Sequence, residues 1–364
     1  MTPLAIYVHT PFCPSKCGYC DFNSFAMQGE IMDEVIGAMI AEIERSPIKG
    51  TPAKTIFFGG GTPTYLPTHL LLRLFEAVVT AHPPVAGAEI TSESNPGTAD
   101  AEKFAAMRSA GFNRLSLGAQ SFVDSDLRML ERVHSSEEIV RAFHTARNAG
   151  FDNVNLDLMF ALPRQSFDAW TQNLERALAL KPDHISLYCL TIEPNTTFYK
   201  KHLRGQLELP DDEAQVAMYD HCLAETAAAG FVQYEISNFA LPGKECAHNL
   251  CYWHHEDYAG YGPGAVACLG GVRGTNVKHP RGYVEAVQAG SELRFDAEPI
   301  SEESRRTERI MLGLRLNEGL PTDGLDPDKL AELARRGWVE WTEDRVRLTS
   351  EGRHFCSEVA LELI

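Results

Sequence analysis

At 364 residues and 44% hydrophobic content, the chain can build one large domain of about 200 to 250 residues and a smaller one beside it. Thirty-three Lys and Arg against fifty Asp and Glu leave a formal charge of −17, which disfavours nonspecific binding to nucleic acid or to an anionic membrane and leaves only local basic runs such as KKHLR, Lys200 to Arg204. The opening MTPLAIYVHTPFC has neither a basic n-region nor an apolar h-region, and no apolar run of eighteen follows, so a cytoplasmic protein without signal peptide or spanning helix is expected.

Six β-branched or aromatic runs recur along the first half: LAIYVH (4–9), TIFF (55–58), EITSE (89–93), RLSL (114–117), NVNLDLM (153–159) and HISLYC (184–189). Amphipathic stretches separate them, at 32–45, 71–79, 101–111, 136–150 and 167–180, and DDEAQVAMYDHCLAETAAAG (211–230) follows the sixth. Strand alternating with helix argues parallel βα units, and Gly111, Gly150 and Gly230 stand where helices should stop. The shared wording AGFNRLSLGAQ and AGFDNVNLDLM is the rhythm of a βα barrel, with spacing too irregular for a solenoid. After about residue 235 the rhythm ends in a Gly- and aromatic-rich region (236–292). The tail (293–364) reads as helix at 303–316, helix at 327–337 and a two-stranded wing in 338–352, a small winged-helix-like module. Without a basic recognition helix, its role is expected to be structural.

Active sites of βα barrels are built at the carboxyl ends of the strands. Those positions hold Tyr7 and the loop CPSKCGYCDF, then GGGTPT (59–64), Glu93 with Asn95 and Pro96, Gln120, Asp157 and Thr191. Three thiols at Cys13, Cys17 and Cys20, in a compartment that keeps thiols reduced, read as metal or redox ligands, while most of the scattered cysteines read as small packing residues. Zinc would want a fourth ligand, for which Asp21 or His9 could serve, but no second C-x2-C occurs. A [4Fe–4S] cluster on three thiolates leaves one iron open. C-x3-C-x2-C also differs from ferredoxin spacing.

CPSKCGYC resembles the CxxxCxxC loop of radical S-adenosylmethionine (SAM) proteins, and the resemblance runs from Tyr7 to the tail. YVHTPFC, FFGGGTPTYL, SNPGT, LSLGAQSF, NLDLM, LTIEPNT and YEISNFA are similar to the branch that contains oxygen-independent coproporphyrinogen III oxidase and the HemW-type haem chaperones. This implies an α/β fold, a partial (β/α)6 barrel over residues 1–235 followed by the small C-terminal domain. It also implies a cluster whose open iron chelates SAM, and one-electron cleavage of the sulfonium to a deoxyadenosyl radical. By position in the family pattern, Tyr7, Tyr19, Gly60, Gly61, Thr62, Glu93, Gln120, Arg132 and Asp157 would line the cofactor, with Thr191 and Tyr261 further along.

The oxidases of this branch carry C-x3-C-x2-C-x-C and a long N-terminal extension. Here Phe22 stands at the fourth cysteine's place and six residues precede Tyr7. HNLCYW (248–253) matches the HNxxYW motif of the haem chaperones, so His248 is the expected haem ligand, with Tyr252 and Trp253 covering the macrocycle or shaping the loop. A zinc site from Cys246 and Cys251 with His254 or His255 is the other reading of this segment. The resemblance thus implies haem as cargo, a haem-acceptor protein such as a respiratory cytochrome, transient contact with a membrane-bound acceptor, a homodimer, and no nucleic-acid partner. Oxidative decarboxylation of coproporphyrinogen III is the alternative, and radical modification of RNA is disfavoured by the charge.

Overall fold

Every strand in the first half is parallel to the next in chain order: β1 (Leu4–Thr10), β2 (Ala53–Gly60), β3 (Pro84–Ser94), β4 (Arg114–Gln120), β5 (Val154–Phe160) and β6 (His184–Cys189). This computed structural model describes residues 2–364. The crossovers are α1 (Glu30–Glu44), α2 (Thr68–Ala81), α3 (Ala101–Ala110), α4 (Asp124–Met129), α5 (Ser136–Asn148) and α6 (Phe167–Ala179). Local chemistry places their ends. Asp100 and Ser166 accept from the first turns of α3 and α6, Ser135 and Glu138 form a reciprocal capping box on α5, and Gly111 and Gly150 take φ of 124° and 92° just past α3 and α5.

Alternation along the strands sorts two faces. Ile6, Val8, Ile56, Phe58, Leu115, Leu117, Leu156 and Ile185 join the main core beneath the helices. The residues between them, Tyr7, Thr55, Glu93, Ser116, Asn155, Asp157, His184 and Ser186, therefore face the inside of the curved sheet. That inner face is polar although much of it is buried. The helix face carries the apolar burial that stabilises the fold, with the fully buried Trp170 of α6 an example.

Beyond β6 come α7 (Thr197–Leu203), α8 (Asp212–Ala228), and the hairpin β7 (Val232–Glu235) and β8 (Asn238–Ala240), with β8 antiparallel to β6. Next is α9 (Ala247–Trp253), then β9 (Tyr258–Tyr261), parallel to β1, and the antiparallel β10 (Val266–Leu269), β11 (Val272–Thr275) and β12 (Glu298–Pro299), with α10 (Pro280–Ala289) between the last two. The region after residue 235 thus extends the sheet at both ends, giving twelve strands in open order with no closed barrel. Strands of three or four residues broken by glycines are too short to display a period, so the sequence pattern shows no strands there.

The tail has its own core of Ile310, Leu314, Leu330, Leu333, Val346 and Val359. It comprises α11 (Glu302–Gly313), β13 (Leu320–Pro321), α12 (Pro327–Arg335), β14 (Val339–Trp341), β15 (Arg345–Leu348) and α13 (Cys356–Leu363). The expected two helices and wing are present, with β13 added as a third strand beside β15 and α13 as a further helix. Among the described residues no helix is long and apolar enough to cross a membrane.

Candidate functional site

The cysteine loop leaves β1 directly and is held as a unit. Cys13 N donates to Phe25 O (3.1 Å) and Phe25 N to Pro11 O (2.7 Å), while the Lys16 ammonium donates to Phe22 O (3.0 Å) and Ser24 O (3.4 Å). Phe198 N donates to Gly18 O at 2.9 Å. A Cβ on Gly18 would lie 3.0 Å from both the Phe198 ring and the Glu131 carboxyl, so the loop's glycine is set by packing. All three thiols are unpaired and half-buried. Burial pushes the Cys13 and Cys20 thiols up; hydrogen bonds to Cys13 from Thr62 and to Cys20 from the Phe22 backbone act against it.

A chain of side chains ties this loop to the next three strand ends. The Cys13 thiol meets Thr62 Oγ1 (3.5 Å), Asn95 Nδ2 donates to that hydroxyl (2.8 Å), Arg132 Nη2 donates to Asn95 Oδ1 (2.5 Å) and to Gly118 O (2.9 Å), and Arg132 Nη1 reaches Cys17 Sγ (3.4 Å). The guanidinium is nearly buried and its Nε has no partner. A Cβ on Gly118 would stand within 3.1 to 3.3 Å of Asn95, Gln120 and Arg132, so glycine there leaves a cradle between three polar groups. Gln120 itself adopts φ of 64°, in the left-handed region.

Two carboxylates lie deeper. Gly60 N donates to Glu93 Oε2 (3.1 Å), and Gly60 is required both by its φ of 99° and because any Cβ would strike the His9 ring. Burial, with Asp157 nearby, pushes the Glu93 carboxyl up to about 8. Asp157 accepts from Ser116 Oγ (3.0 Å) and Asn155 Nδ2 (2.8 Å), and burial raises it too. Around these groups is a cavity of about 390 Å³ that brings together Cys13, Cys17, Tyr19, Cys20, Gly60, Gly61, Thr62, Glu93, Gln120, Arg132, Asp157 and Thr191. Tyr7 borders the adjoining cavity with Glu93 and Gly60.

Reasoning from strand ends alone did not assign Gly118, Ser116 or Tyr188 to the site. Asn95 was legible as a strand-end residue, but its bridge from Thr62 to Arg132 was not. The signal for Gly118 is present in LSLGAQ, a glycine two residues before the end of β4.

Two expected residues lie elsewhere. Tyr261 is not in the cofactor cavity: its ring belongs to the core behind the sheet, and its hydroxyl bonds His82 Nε2 (2.7 Å) and Ser46 Oγ (2.8 Å). The strand register explains this, because Tyr261 pairs with Val8, whose side chain points to the helices. His248 sits on α9 at the opposite, amino end of the strands, 1% exposed. Its Nδ1 pairs with Thr55 Oγ1 (2.8 Å), its Nε2 with Tyr252 OH (2.9 Å), and its ring stacks on Phe57 at 5.1 Å. Burial, with Arg114 and Lys54 adding to it, pushes its pKa down to about 3, so the ring is neutral. Iron ligation at either nitrogen requires breaking one of these bonds. Trp253 lies under the Arg315 guanidinium (4.7 Å), and His254 and His255 bond Glu318 (3.0 Å) and Glu308 (2.9 Å) of the tail. The cysteines of this segment turn elsewhere, Cys246 toward Glu89 and Cys251 toward Ala247 O.

Among the described residues no three His, Cys, Asp or Glu side chains converge tightly enough to hold a single metal ion. Thiolates of a cubane bind different irons and need not converge so closely. His9, the possible fourth zinc ligand, has both ring nitrogens engaged, with Tyr7 OH (3.0 Å) and Asn23 O (2.9 Å). The Arg132 guanidinium on the cavity wall and the Gly118 cradle fit a polar ligand beside the thiols, as SAM on a three-thiolate cluster would be.

The parallel α/β sheet with three thiols on the loop after its first strand defines a radical SAM protein, and the Radical SAM superfamily model matches residues 7–177. The HemN C-terminal domain model matches residues 300–355. The chain is 38% identical to heme chaperone HemW of Bacillus subtilis, over 97% of each chain, and 37% identical to heme chaperone HemW of Escherichia coli, over 100% of this chain and 98% of the other. It belongs to the HemW family. Among solved structures, coproporphyrinogen III oxidase (HemN) from Escherichia coli, a radical SAM enzyme, superposes with a TM-score of 0.86 at 25% identity, covering 99% of this chain and 90% of that one.

Proposed function

We propose that the protein is a haem chaperone: it binds haem, passes it to an acceptor protein, and carries a [4Fe–4S] cluster on Cys13, Cys17 and Cys20 with SAM on the open iron. The observation that carries this is the end-to-end similarity to heme chaperones in a chain whose cysteine loop ends at Phe22. When bound, the cluster supplies an electron and a chelating iron for SAM. Arg132, held by Asn95, Gly118 and Cys17, brings its guanidinium charge to the cavity wall for a carboxylate, and the buried Glu93 and Asp157 accept from hydroxyl or ammonium groups. Gly60, Gly61, Thr62, Gln120, Tyr19 and Thr191 shape the walls of that space. A cytoplasmic location, a respiratory cytochrome as acceptor, transient contact with a membrane-bound acceptor and a homodimer complete the proposal.

The test is anaerobic reconstitution followed by haem titration and product analysis on one preparation. A Soret band that saturates, with no protoporphyrinogen formed, is expected. Absence of any Soret change on titration sinks the chaperone reading. The fold likeness to the oxidase keeps oxidative decarboxylation as the second reading, and catalytic turnover of coproporphyrinogen III in the same assay would establish it.

A further inference from the structure

A cluster on Cys13, Cys17 and Cys20 that gives an electron to SAM has first to receive one. Electron tunnelling falls steeply with distance, so a protein that supplies the electron has to come against the surface nearest the cysteine loop.

The helix α7 lies directly outside that loop. Phe198 N donates to Gly18 O (2.9 Å), in the segment between Cys17 and Cys20, and the Phe198 ring meets Tyr19 edge-on at 6.2 Å. Lys201 Nζ lies 5.4 Å over the other partner of that contact, the Phe198 ring, and pairs with Glu131 (3.1 Å), whose carboxyl packs against Gly18. One residue layer, the buried Phe198, therefore separates the cysteine loop from the outer face of α7.

That outer face is the basic run KKHLR. Lys200, His202 and Arg204 are exposed, Leu203 is 68% exposed, and among the described residues neither Lys200 nor Arg204 has an ion-pair partner. The dipole of α7 favours cations in its last turn, which accounts for Lys200 and Lys201 but not for Arg204 beyond it. An exposed leucine with cations around it has the composition of a small interface, apolar at the centre and charged at the rim. In a chain of charge −17, an acidic protein is repelled from most of the surface and attracted here, so charge both steers and orients it. A single short helix suits weak redox encounters, which bury less than about 1,200 Å² in all. Nucleic acids and anionic bilayers present extended negative surfaces, which the rest of this chain repels.

We propose that α7, through Lys200, Leu203 and Arg204, is the docking face for an acidic one-electron carrier protein; the inference rests on the cluster reading above. One electron leaves the carrier, whose centre is oxidised by one, and enters the cluster behind Phe198, which is reduced by one; no bond forms or breaks.

The probe is a flavodoxin, an acidic flavin-carrying protein, photoreduced and mixed anaerobically with full-length reconstituted protein while bleaching of the cluster absorbance is followed. Charge reversal at the two exposed cations, Lys200→Glu with Arg204→Glu, is expected to slow this reduction about tenfold or more at low ionic strength and to remove the fall in rate with rising salt. Reduction by the small neutral photoreductant deazariboflavin is expected to be unchanged. On cluster-free protein the same variant is expected to lose the salt-sensitive binding of oxidised flavodoxin while melting at the parental temperature. Leu203→Ser is expected to weaken that binding several-fold and to leave its salt dependence as it was. A parental flavodoxin rate in the charge-reversed variant, or no reduction of the parent by flavodoxin, overturns the docking face. Binding to phosphatidylglycerol vesicles that the variant loses, with flavodoxin unaffected, overturns it too and assigns the patch to a membrane surface. A parent protein that takes up no iron fails earlier, at reconstitution, and defeats the cluster reading itself.

Discussion

At the carboxyl ends of the strands, polar groups line a cavity. Arg132 links Asn95, Gly118 O and Cys17, the nearby Asp157 charge helps raise Glu93, and the rings of Phe22 and Tyr188 are partly exposed. At the amino ends the same inner face is filled. Glu89 accepts from Ala247 N (3.0 Å) and His248 N (3.1 Å) and so caps α9, Arg114 lies 4.0 Å from Glu89, and His184 bridges Asn155 (2.7 Å) and Tyr234 OH (2.8 Å). One end is thus preorganised for ligands at a cost in stability, and the other is closed over by protein and supports the fold, although Arg114 Nε and Nη1 lack hydrogen-bond partners there. Substitutions at the first should change what is bound. Substitutions at the second should change how firmly the protein folds.

The largest effect separates the ends outright. Cys17→Ala is expected to abolish the brown cluster absorbance of anaerobically reconstituted protein while thermal unfolding of the unreconstituted chain is little altered, since this thiol is only half-buried and its bond from Arg132 is long at 3.4 Å. One stoichiometric zinc and no iron in the parent protein would defeat the cluster assignment.

Glu93 gives the mouth a pH signature. Its carboxyl is raised from 4.5 to about 8, so native and unfolded chains are both protonated there below about pH 4 and this group then costs nothing. As pH rises from 4.5 toward 8 the unfolded state ionises and the native state does not, and stability falls by several kcal/mol at about 1.4 kcal/mol per pH unit. Glu93→Gln should therefore flatten the decline of melting temperature over that window in cofactor-free protein. A parallel decline in the variant would show that Glu93 titrates normally.

For the base, Glu89→Ala removes the carboxylate facing the buried Arg114 and uncaps α9, an expected loss of about 3 to 5 kcal/mol. Denaturant unfolding measures it. An unchanged midpoint would mean that Arg114 is neutralised by another group.

Much of the mouth was legible from the sequence because its chemistry is local. Three thiols lie within eight residues, and GGGTPT, Glu93, Gln120 and Asp157 fall where parallel strands end. Arg132 is different, since only the family pattern marked it. The base was not legible. Thr55 and His248 are 193 residues apart, Glu89 and His248 are 159, and nothing local announces that α9 enters the sheet from below. Tyr261 was likewise marked only by the family pattern, and its strand register turns it into the core behind the sheet. A strand of four residues does not reveal which face its side chains take, and a slip of one position reverses it.

His248→Ala is the smallest change and the sharpest one. At the base it removes hydrogen bonds to Thr55 and Tyr252 and the stack on Phe57, for an expected loss of about 2 to 3 kcal/mol. If the ring serves the fold, His248→Gln, which keeps a donor and an acceptor, should recover part of that loss, and haem affinity should follow neither variant. If the ring serves as an iron ligand through a withdrawn α9, both variants should lose the parental Soret position whatever their stability. Urea unfolding and haem titration of the same two proteins separate the cases, because a structural ring moves only the first measurement and a ligand moves the second.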